Sequence, residues 1–198
     1  MAAFLDDKFP GIQKLAEKMG ADIGFEDESG IGIMTRAGHT WGEVGQPPEI
    51  EVSDQRGGYN VLSIITAEGE FRYSLEEKHI NGKRYVEFLQ QIRRDRTRPL
   101  IVIADKASFH RAAAVRQFVR AHRTQIRVFF FPTHSPELNP DEQVWNEIKH
   151  RRLGKQPIKN KTDLKKRLRS ALKSPQNKAE KVRSFFQLPD TKYAAISG

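Results

Sequence analysis

Helical and extended hydrophobic patterns alternate along the chain, and the first two predict how the fold begins. Apolar residues recur at helical spacing over residues 12–19 and predict a short amphipathic helix, which Gly20 ends. Residues 21–26 then form a mostly extended segment that runs into an acidic turn at residues 27–30. The N-terminal region is therefore predicted to be a helix followed by a strand.

Six further elements are predicted between residues 61 and 131. Extended runs on either side of an Ala-Glu-Gly turn predict a β-hairpin, and helical spacing then alternates with short apolar runs typical of strands buried on both faces. In chain order these elements are strands 61–66 and 71–75, a helix around 85–92, a strand at 99–104, a helix at 111–122 and a strand at 126–131. The order predicts an α/β fold, a mixed sheet flanked by helices.

The C-terminal region carries one apolar stripe on an otherwise basic helix. Leu164, Leu168 and Leu172 recur at helical spacing among lysines and arginines. Residues 175–178 begin with a proline and are predicted to be a loosely ordered break. We expect a principal domain at residues 1–155 and a basic helical extension at residues 156–198 that packs on it or follows it.

The net charge of +9 is concentrated in the C-terminal region. Residues 149–198 contain 15 of the 34 Lys and Arg residues and 3 of the 25 acids, which leaves 19 basic and 22 acidic residues before them. A basic run is more often a solvated face than a binding surface. Such a run can also neutralise DNA phosphates in a strongly salt-dependent way, and the acids described below favour that function here.

Composition excludes several other classes of protein. The chain has no cysteine, which excludes disulfides and thiolate metal sites and agrees with a reducing cytoplasm. No apolar run approaches the length of a transmembrane helix. We therefore expect a cytoplasmic protein without a membrane partner.

Glu142 lies where an apolar strand and a proline-containing turn give way to a helix. Asn139 is a good N-cap, Pro140 suits the first helical position, and Glu142 falls at the third, from which a glutamate can bond the N–H of the cap. The local sequence leaves two interpretations of Glu142 open. It is either a capping residue or a carboxylate delivered to a functional site.

Two more acids follow strand-like segments. Asp105 ends the apolar run at residues 99–104, and Asp27 follows the extended segment at residues 21–26. A single acid at such a position is usually a turn residue or a helix cap. Three acids at the ends of predicted elements are harder to explain as separate turn or cap residues, and they favour a shared site.

Three motifs carry these acids and resemble a known family. They are Phe-Glu-Asp-Glu-Ser at 25–29, Ile-Ala-Asp-Lys-Ala-Ser-Phe-His at 103–110 and Ser-Pro-Glu-Leu-Asn-Pro-Asp-Glu-Gln-Val-Trp at 135–145. With a Gly- and Pro-containing phrase at 40–48, they resemble DDE transposases of the mariner-like superfamily, in its bacterial insertion-sequence branch. The resemblance extends over residues 10–155. It implies a ribonuclease-H-like fold with Asp27, Asp105 and Glu142 as the catalytic, metal-binding triad.

The resemblance implies phosphoryl transfer on DNA. Two Mg²⁺ or Mn²⁺ ions, about 3.5–4 Å apart, would activate the attacking oxygen and stabilise the leaving oxygen. Water would free a DNA 3′-OH, which would then attack target DNA. The implied partners are element ends and target DNA, bound by a homodimer, and an upstream helix-turn-helix frame product that supplies the DNA-reading module missing from this chain. The implied location is a bacterial cytoplasm, in association with the nucleoid.

Lys106 departs from the family pattern, in which Asn or Gly commonly follows the second aspartate. Consecutive side chains of an extended chain point to opposite faces, so Lys106 can aim away from Asp105 and reach a DNA phosphate. Two alternatives stay open beside the transposase. One is a catalytically inactive DNA-binding remnant in which Lys106 has displaced a metal, and the other is a host-adopted nuclease with the same triad.

The candidate DNA contacts extend beyond Lys106. Trp41 lies in the Gly- and Pro-containing phrase and is either a core residue or a DNA contact. His110 can approach a phosphate or brace the turn that carries Asp105. The full set of candidates is Trp41, Lys106, His110, Arg111, Lys149, Arg151 and Arg152.

Overall fold

A five-stranded mixed sheet organises the computed structural model, which describes residues 2–33, 56–153 and 158–195. Its strands are β1 (Asp22–Gly32), β2 (Gly58–Thr66), β3 (Phe71–Glu76), β4 (Leu100–Ala104) and β5 (Ile126–Phe130). They lie in the order β3-β2-β1-β4-β5. The pairs β1–β2 and β2–β3 are antiparallel, whereas β1–β4 and β4–β5 are parallel. The sheet is therefore mixed, with β1, β2 and β3 antiparallel and β1, β4 and β5 parallel.

Six α-helices accompany the sheet in the described ranges. They are α1 (Phe9–Met19), α2 (Gly82–Arg94), α3 (Ala113–Ala121), α4 (Glu142–Asn146), α5 (Lys161–Gln176) and α6 (Ala179–Ser184). A π-helical turn, Phe4–Lys8, leads into α1, and another, Glu147–Leu153, continues α4. Gly20 ends α1 in the left-handed conformation that glycine adopts without strain. The predicted end of the first helix is confirmed.

Each face of the sheet has its own apolar cluster. One cluster joins the sheet to α2 and α3 through residues such as Tyr85 and Phe118. The other joins it to α1, α4, α5 and α6, with Phe25 and Trp145 near its centre. All five residues of β4 are buried, because helices cover both faces of this strand. The predicted α/β fold, with a mixed sheet flanked by helices, is confirmed.

The predicted acidic turn at residues 27–30 is wrong, because β1 continues through it. Asp27 pairs with Ser63 of β2, and the pairing continues to Gly32 opposite Gly58. Polar residues there indicated a turn, but hydrogen bonding to β2 satisfies the extended backbone. Asp27 is therefore a mid-strand residue. Trp41 and the phrase at residues 40–48 lie outside the described ranges.

The predicted break at residues 175–178 is also partly wrong. Helix α5 continues through Pro175 to Gln176, and the interruption before α6 is confined to Asn177 and Lys178. Pro175 is buried, so the packing of this last turn offsets the hydrogen bond that proline cannot donate. The domain boundary near residue 155 stays a prediction, although α5 and α6 share the core cluster of the sheet.

None of the described helices is both long enough and apolar enough to cross a membrane.

Replacement of Leu168 by alanine tests whether the basic helix α5 belongs to the core. Leu168 is fully buried in the cluster that also contains Phe25. We expect Leu168→Ala to lower the free energy of unfolding by about 2–5 kcal/mol, because a buried leucine leaves a cavity. The exposed Leu188 is the control, and Leu188→Ala is expected to change it by less than about 0.5 kcal/mol. If urea denaturation gave the same change in the free energy of unfolding for both variants, α5 would not be part of the core.

Candidate active site

The parallel register of β1 and β4 brings two of the predicted acids to one edge of the sheet. Phe25 of β1 pairs with Ile103 of β4. Asp27 and Asp105 each follow two residues later, and side chains two residues apart on an extended chain share a face. Both acids line one cleft, with a volume of about 390 Å³. Glu142, from the other end of the domain sequence, lines the same cleft.

Asp27 is a half-buried carboxylate among other acids. Its Oδ1 accepts a hydrogen bond of 2.9 Å from the backbone N–H of Glu28. Burial raises the pKa of Asp27 well above its ordinary value, and the negative charges of Glu142, Glu26 and Asp105 raise it further. No ion pair joins Asp27 to a basic residue in the described ranges. The electrostatics at Asp27 therefore favour a proton or a bound cation.

Asp105 is more exposed, with 62% of its side chain accessible, and it is held from one side. Its Oδ1 accepts a hydrogen bond of 2.9 Å from the N–H of Ala107 and lies 2.8 Å from Nδ1 of His110. The hydrogen bond from His110 lowers the pKa of Asp105 and outweighs the opposing effect of burial. Because Oδ1 is occupied, Oδ2 is the oxygen that Asp105 can offer to the cleft.

Glu142 opens α4, and the structure does not place it as a capping residue. The N–H of Asn139 donates to the carbonyl of Pro136 at 2.9 Å, so it does not need the Glu142 carboxylate. The N-cap of α4 is Asp141, which makes no side-chain capping bond, and the turn before it is closed by Asn139, whose Oδ1 accepts from the N–H of Asp141 at 3.1 Å. The amide of Asn139 also donates to the carbonyl of Glu26 at 3.0 Å and so fastens this turn to β1.

Asp141 is a fully buried acid behind the cleft. Its Oδ2 accepts a hydrogen bond of 2.6 Å from the hydroxyl of Ser63, while Oδ1 has no hydrogen-bond partner among the described residues. Burial raises the pKa of Asp141 well above its ordinary value, and the charge of Asp27 adds to the effect. Asp141 therefore supports the strand-to-helix turn through its hydrogen bond to Ser63 of β2.

Lys106 lines the same cleft without pairing with Asp105. Its ammonium donates to the hydroxyl of Thr133 at 3.0 Å, across the cleft from the end of β4. Because β4 ends at Ala104, Lys106 and Asp105 line the same cleft, and the predicted placement of Lys106 on the opposite face is wrong. The ammonium is exposed and within reach of a ligand in the cleft.

The other candidate DNA contacts divide by exposure. His110 is only 2% exposed and lies between Glu26 and Asp105, which argues against contact with DNA. Arg111, Arg151 and Arg152 are exposed, and Lys149 is half-buried. Arg151 and Arg152 both pair with Glu147, at 3.3 and 3.4 Å. The sequence analysis did not predict the buried contact of Glu26 with His110. The only sequence signal for it was that Glu26 precedes Asp27 on an extended segment, so that the two side chains point to opposite faces.

The donor chemistry of the cleft fits a hard divalent cation. Asp27, Asp105 and Glu142 offer carboxylate oxygens, and the pKa of Asp27 is raised by burial and then by neighbouring negative charges, an environment that a bound cation would make favourable for the ionised form. Among the described residues, no group of three or more His, Asp or Glu side chains is gathered closely enough to hold a metal by itself. The three carboxylates surround the cleft instead, which leaves space between them for substrate oxygens and water.

Comparison with known proteins gives one family and one fold. A family model described as DDE superfamily endonuclease matches residues 22–165. A Mos1 strand transfer complex is 18% identical with a TM-score of 0.64, over 96% of this chain and 60% of that chain. A Mos1 transposase paired-end complex with the left transposon end is 17% identical with a TM-score of 0.65, over 96% and 61%.

The isolated catalytic domain of Mos1 mariner transposase matches over nearly its whole length. It is 15% identical with a TM-score of 0.58, over 98% of this chain and 95% of that chain. Two other matching Mos1 complexes are with Mn and with Mg. This chain thus spans about 60% of the longer Mos1 chains. Comparison with curated proteins gives no match. The predicted ribonuclease-H-like fold is confirmed.

Asp27→Asn tests the repulsion in the cleft. Because the pKa of Asp27 is raised on folding, ionisation of Asp27 destabilises the folded chain. This loss of stability is absent below the unfolded pKa of about 3.9, and it grows as pH rises toward the folded pKa. We expect Asp27→Asn to raise the thermal midpoint in EDTA by a few degrees at pH 8, and by less as pH falls. The exposed acid in Asp190→Asn is the control. A lowered midpoint at pH 8 would contradict the repulsion.

Proposed function

The chain belongs to the DDE superfamily of endonucleases, and from this we propose that it is a transposase catalytic domain that cuts DNA and transfers its strands with divalent metal ions. The family predicted from the three motifs is thereby confirmed, whereas its bacterial insertion-sequence branch stays a prediction. One observation carries the proposal: acids from β1, the end of β4 and the start of α4 line one cleft. The motifs that resemble the family's catalytic blocks contribute these three acids.

Asp27, Asp105 and Glu142 are the residues that would hold the metal ions. When bound, two Mg²⁺ or Mn²⁺ ions would activate the attacking oxygen and stabilise the leaving oxygen at phosphorus. Matching Mos1 structures with Mn and with Mg support this choice of ions. Asp105 is held at Oδ1 and offers Oδ2, while Glu142 is free of the capping contact. The protein's own contribution is to fix these oxygens around an open cleft.

The reaction that we propose has two steps at phosphorus. Water attacks a DNA phosphate and the bond to a 3′ oxygen breaks, which frees a 3′-OH. That hydroxyl then attacks a phosphate of target DNA, where a second phosphorus–oxygen bond breaks and another 3′-OH leaves. No covalent bond between protein and DNA forms, so no Ser, Cys or Tyr nucleophile is required.

Basic residues near the cleft are the proposed DNA contacts. Lys106 lies in the cleft, and Arg111 follows the second motif on an exposed turn. Lys149, Arg151 and Arg152 continue from α4 into the C-terminal region, in which basic residues exceed acids by 15 to 3. We propose that they bind the backbone of element ends and target DNA. A homodimer on DNA and an upstream helix-turn-helix frame product are further proposals from the resemblance, as is a bacterial nucleoid location.

Substitution of two cleft acids tests the triad. We expect the chain to nick supercoiled plasmid at low salt with Mg²⁺ or Mn²⁺, and Asp105→Asn and Glu142→Gln each to reduce the rate by at least about 100-fold, since each removes a charged oxygen ligand. Glu137→Gln, an acid in the same turn that does not line the cleft, is the matched control. Gel analysis of nicked product gives the rates.

Other outcomes would identify the alternatives. Salt-sensitive DNA binding without nicking, unchanged in both variants, would indicate a catalytically inactive remnant. Nicking without joining of a pre-cut 3′-OH duplex to plasmid would indicate a nuclease instead of a strand transferase.

Lys106→Gln tests whether this lysine binds a phosphate or hinders catalysis. We expect weaker binding to duplex DNA, with the slope of log affinity against log salt reduced by about one, because one phosphate contact is lost. The nicking rate at saturating DNA should not change. Lys14→Gln, an exposed lysine on α1, is the control. An increased nicking rate would show that Lys106 impairs the metal site.

A further inference from the structure

A buried imidazole connects Asp105 to a second acid that does not line the cleft. Nδ1 of His110 lies 2.8 Å from Oδ1 of Asp105 and 3.1 Å from its carbonyl oxygen. Nε2 of the same ring lies 2.8 Å from Oε2 of Glu26, at ion-pair distance but outside hydrogen-bond geometry. Glu26 is 0% exposed and His110 is 2% exposed. The ring therefore spans from a fully buried carboxylate to the carboxylate at the cleft.

Glu26 occupies the face of β1 opposite to Asp27. Consecutive side chains of a strand alternate, and Glu26 pairs with Ile64, whose side chain belongs to the cluster under α2 and α3. Glu26 is therefore separated from the cleft by the sheet itself. Its carboxylate contacts the side chain of Asp105 through the ring of His110.

Aromatic rings and the carboxylate of Glu26 enclose the imidazole of His110 and hold it in place. The rings of Tyr85 and Phe109 lie 4.6 and 4.1 Å from it, centroid to centroid. Glu26 forms no ion pair with any other basic residue in the described ranges, and an unpaired buried carboxylate is strongly unfavourable.

We propose that His110, anchored by Glu26, is a positioning residue that holds Asp105 for cation binding. The ring fixes Oδ1 of Asp105 and so turns Oδ2 toward the cleft. Without it, a side chain that is 62% exposed and follows the last residue of a strand would have no side-chain partner in the described ranges. Hydrogen-bonding partners behind a metal ligand commonly contribute 10–100-fold to metal affinity or activity. This inference rests on the proposed function.

Replacement of His110 by asparagine or by glutamine distinguishes a positioning role of the ring from a packing role. The amide nitrogen of asparagine can take the place of Nδ1, and that of glutamine the place of Nε2. Both substitutions remove the ring, but only the first keeps a donor toward Asp105. A Glu26→Gln background avoids leaving a buried charge unpaired. The test therefore compares Glu26→Gln, Glu26→Gln/His110→Asn and Glu26→Gln/His110→Gln with the wild type, and Tyr85→Phe is the control for the surrounding pocket.

The measurement is Mn²⁺ binding to the chain without DNA, followed by electron paramagnetic resonance. We expect Glu26→Gln to bind Mn²⁺ about 10-fold more weakly, because nothing then fixes Nδ1 as the donor. Adding His110→Asn should restore affinity to within about threefold of the wild type, whereas adding His110→Gln should weaken it by about 10–100-fold. Tyr85→Phe should bind like the wild type. Thermal denaturation of each variant confirms that it is folded.

The outcomes separate this inference from the proposed function. If the Asn and Gln double variants bind Mn²⁺ equally, or if only their thermal midpoints change, the positioning role is overturned. If the wild type binds Mn²⁺ and Asp105→Asn abolishes binding, the proposed metal site stands whatever the result at His110. If the wild type neither binds Mn²⁺ nor nicks DNA, the proposed function fails, and the inference fails with it.

Discussion

The register between β1 and β4 is the constraint on which the candidate active site depends. Pairing of Phe25 with Ile103 sets Asp27 level with Asp105, although 77 positions in the sequence separate them. A slip of one residue would exchange Asp27 with Glu26 and send the cleft acid into the apolar cluster under α2. Register is strongly specified here because β4 is buried on both faces and tolerates no polar side chain. The hydrophobic core therefore determines where these two acids meet.

The same geometry brings negatively charged side chains together, and hydrogen bonds around the cleft hold these side chains in place. Asn139 closes the turn before α4 and fastens it to the backbone of β1, and Ser63 bonds the buried Asp141. These contacts hold the carboxylates apart at fixed positions without neutralising them. Sites with a function often break a local rule that the rest of the fold obeys, and here the rule is that a half-buried acid has a basic partner.

Periodicity predicted the elements well, but it could not predict what lies behind the cleft. The hairpin, the two parallel strands and the leucine stripe of α5 each have a one-dimensional pattern that survives folding. The acidic run at residues 27–30 has the composition of a turn, and only pairing with β2 makes it a strand. The approach of Glu26 to His110 joins residues from distant elements, which no local pattern records. The motifs identify the three cleft acids, whereas the register places Asp27 level with Asp105, and the bond from Asn139 to the Glu26 carbonyl fastens the turn before Glu142 to β1.

Helix α5 has an apolar face that packs in the core and a basic face that is largely exposed. Leu164, Leu168 and Leu172 are fully buried, while lysines and arginines occupy much of the remaining surface. Lys161 and Lys165 on the outer side also pair with Glu77, next to the end of β3, so part of the positive charge ties the helix to the sheet. One helix thus supplies both apolar packing and positive charge, and a substitution changes one or the other according to the side on which it falls.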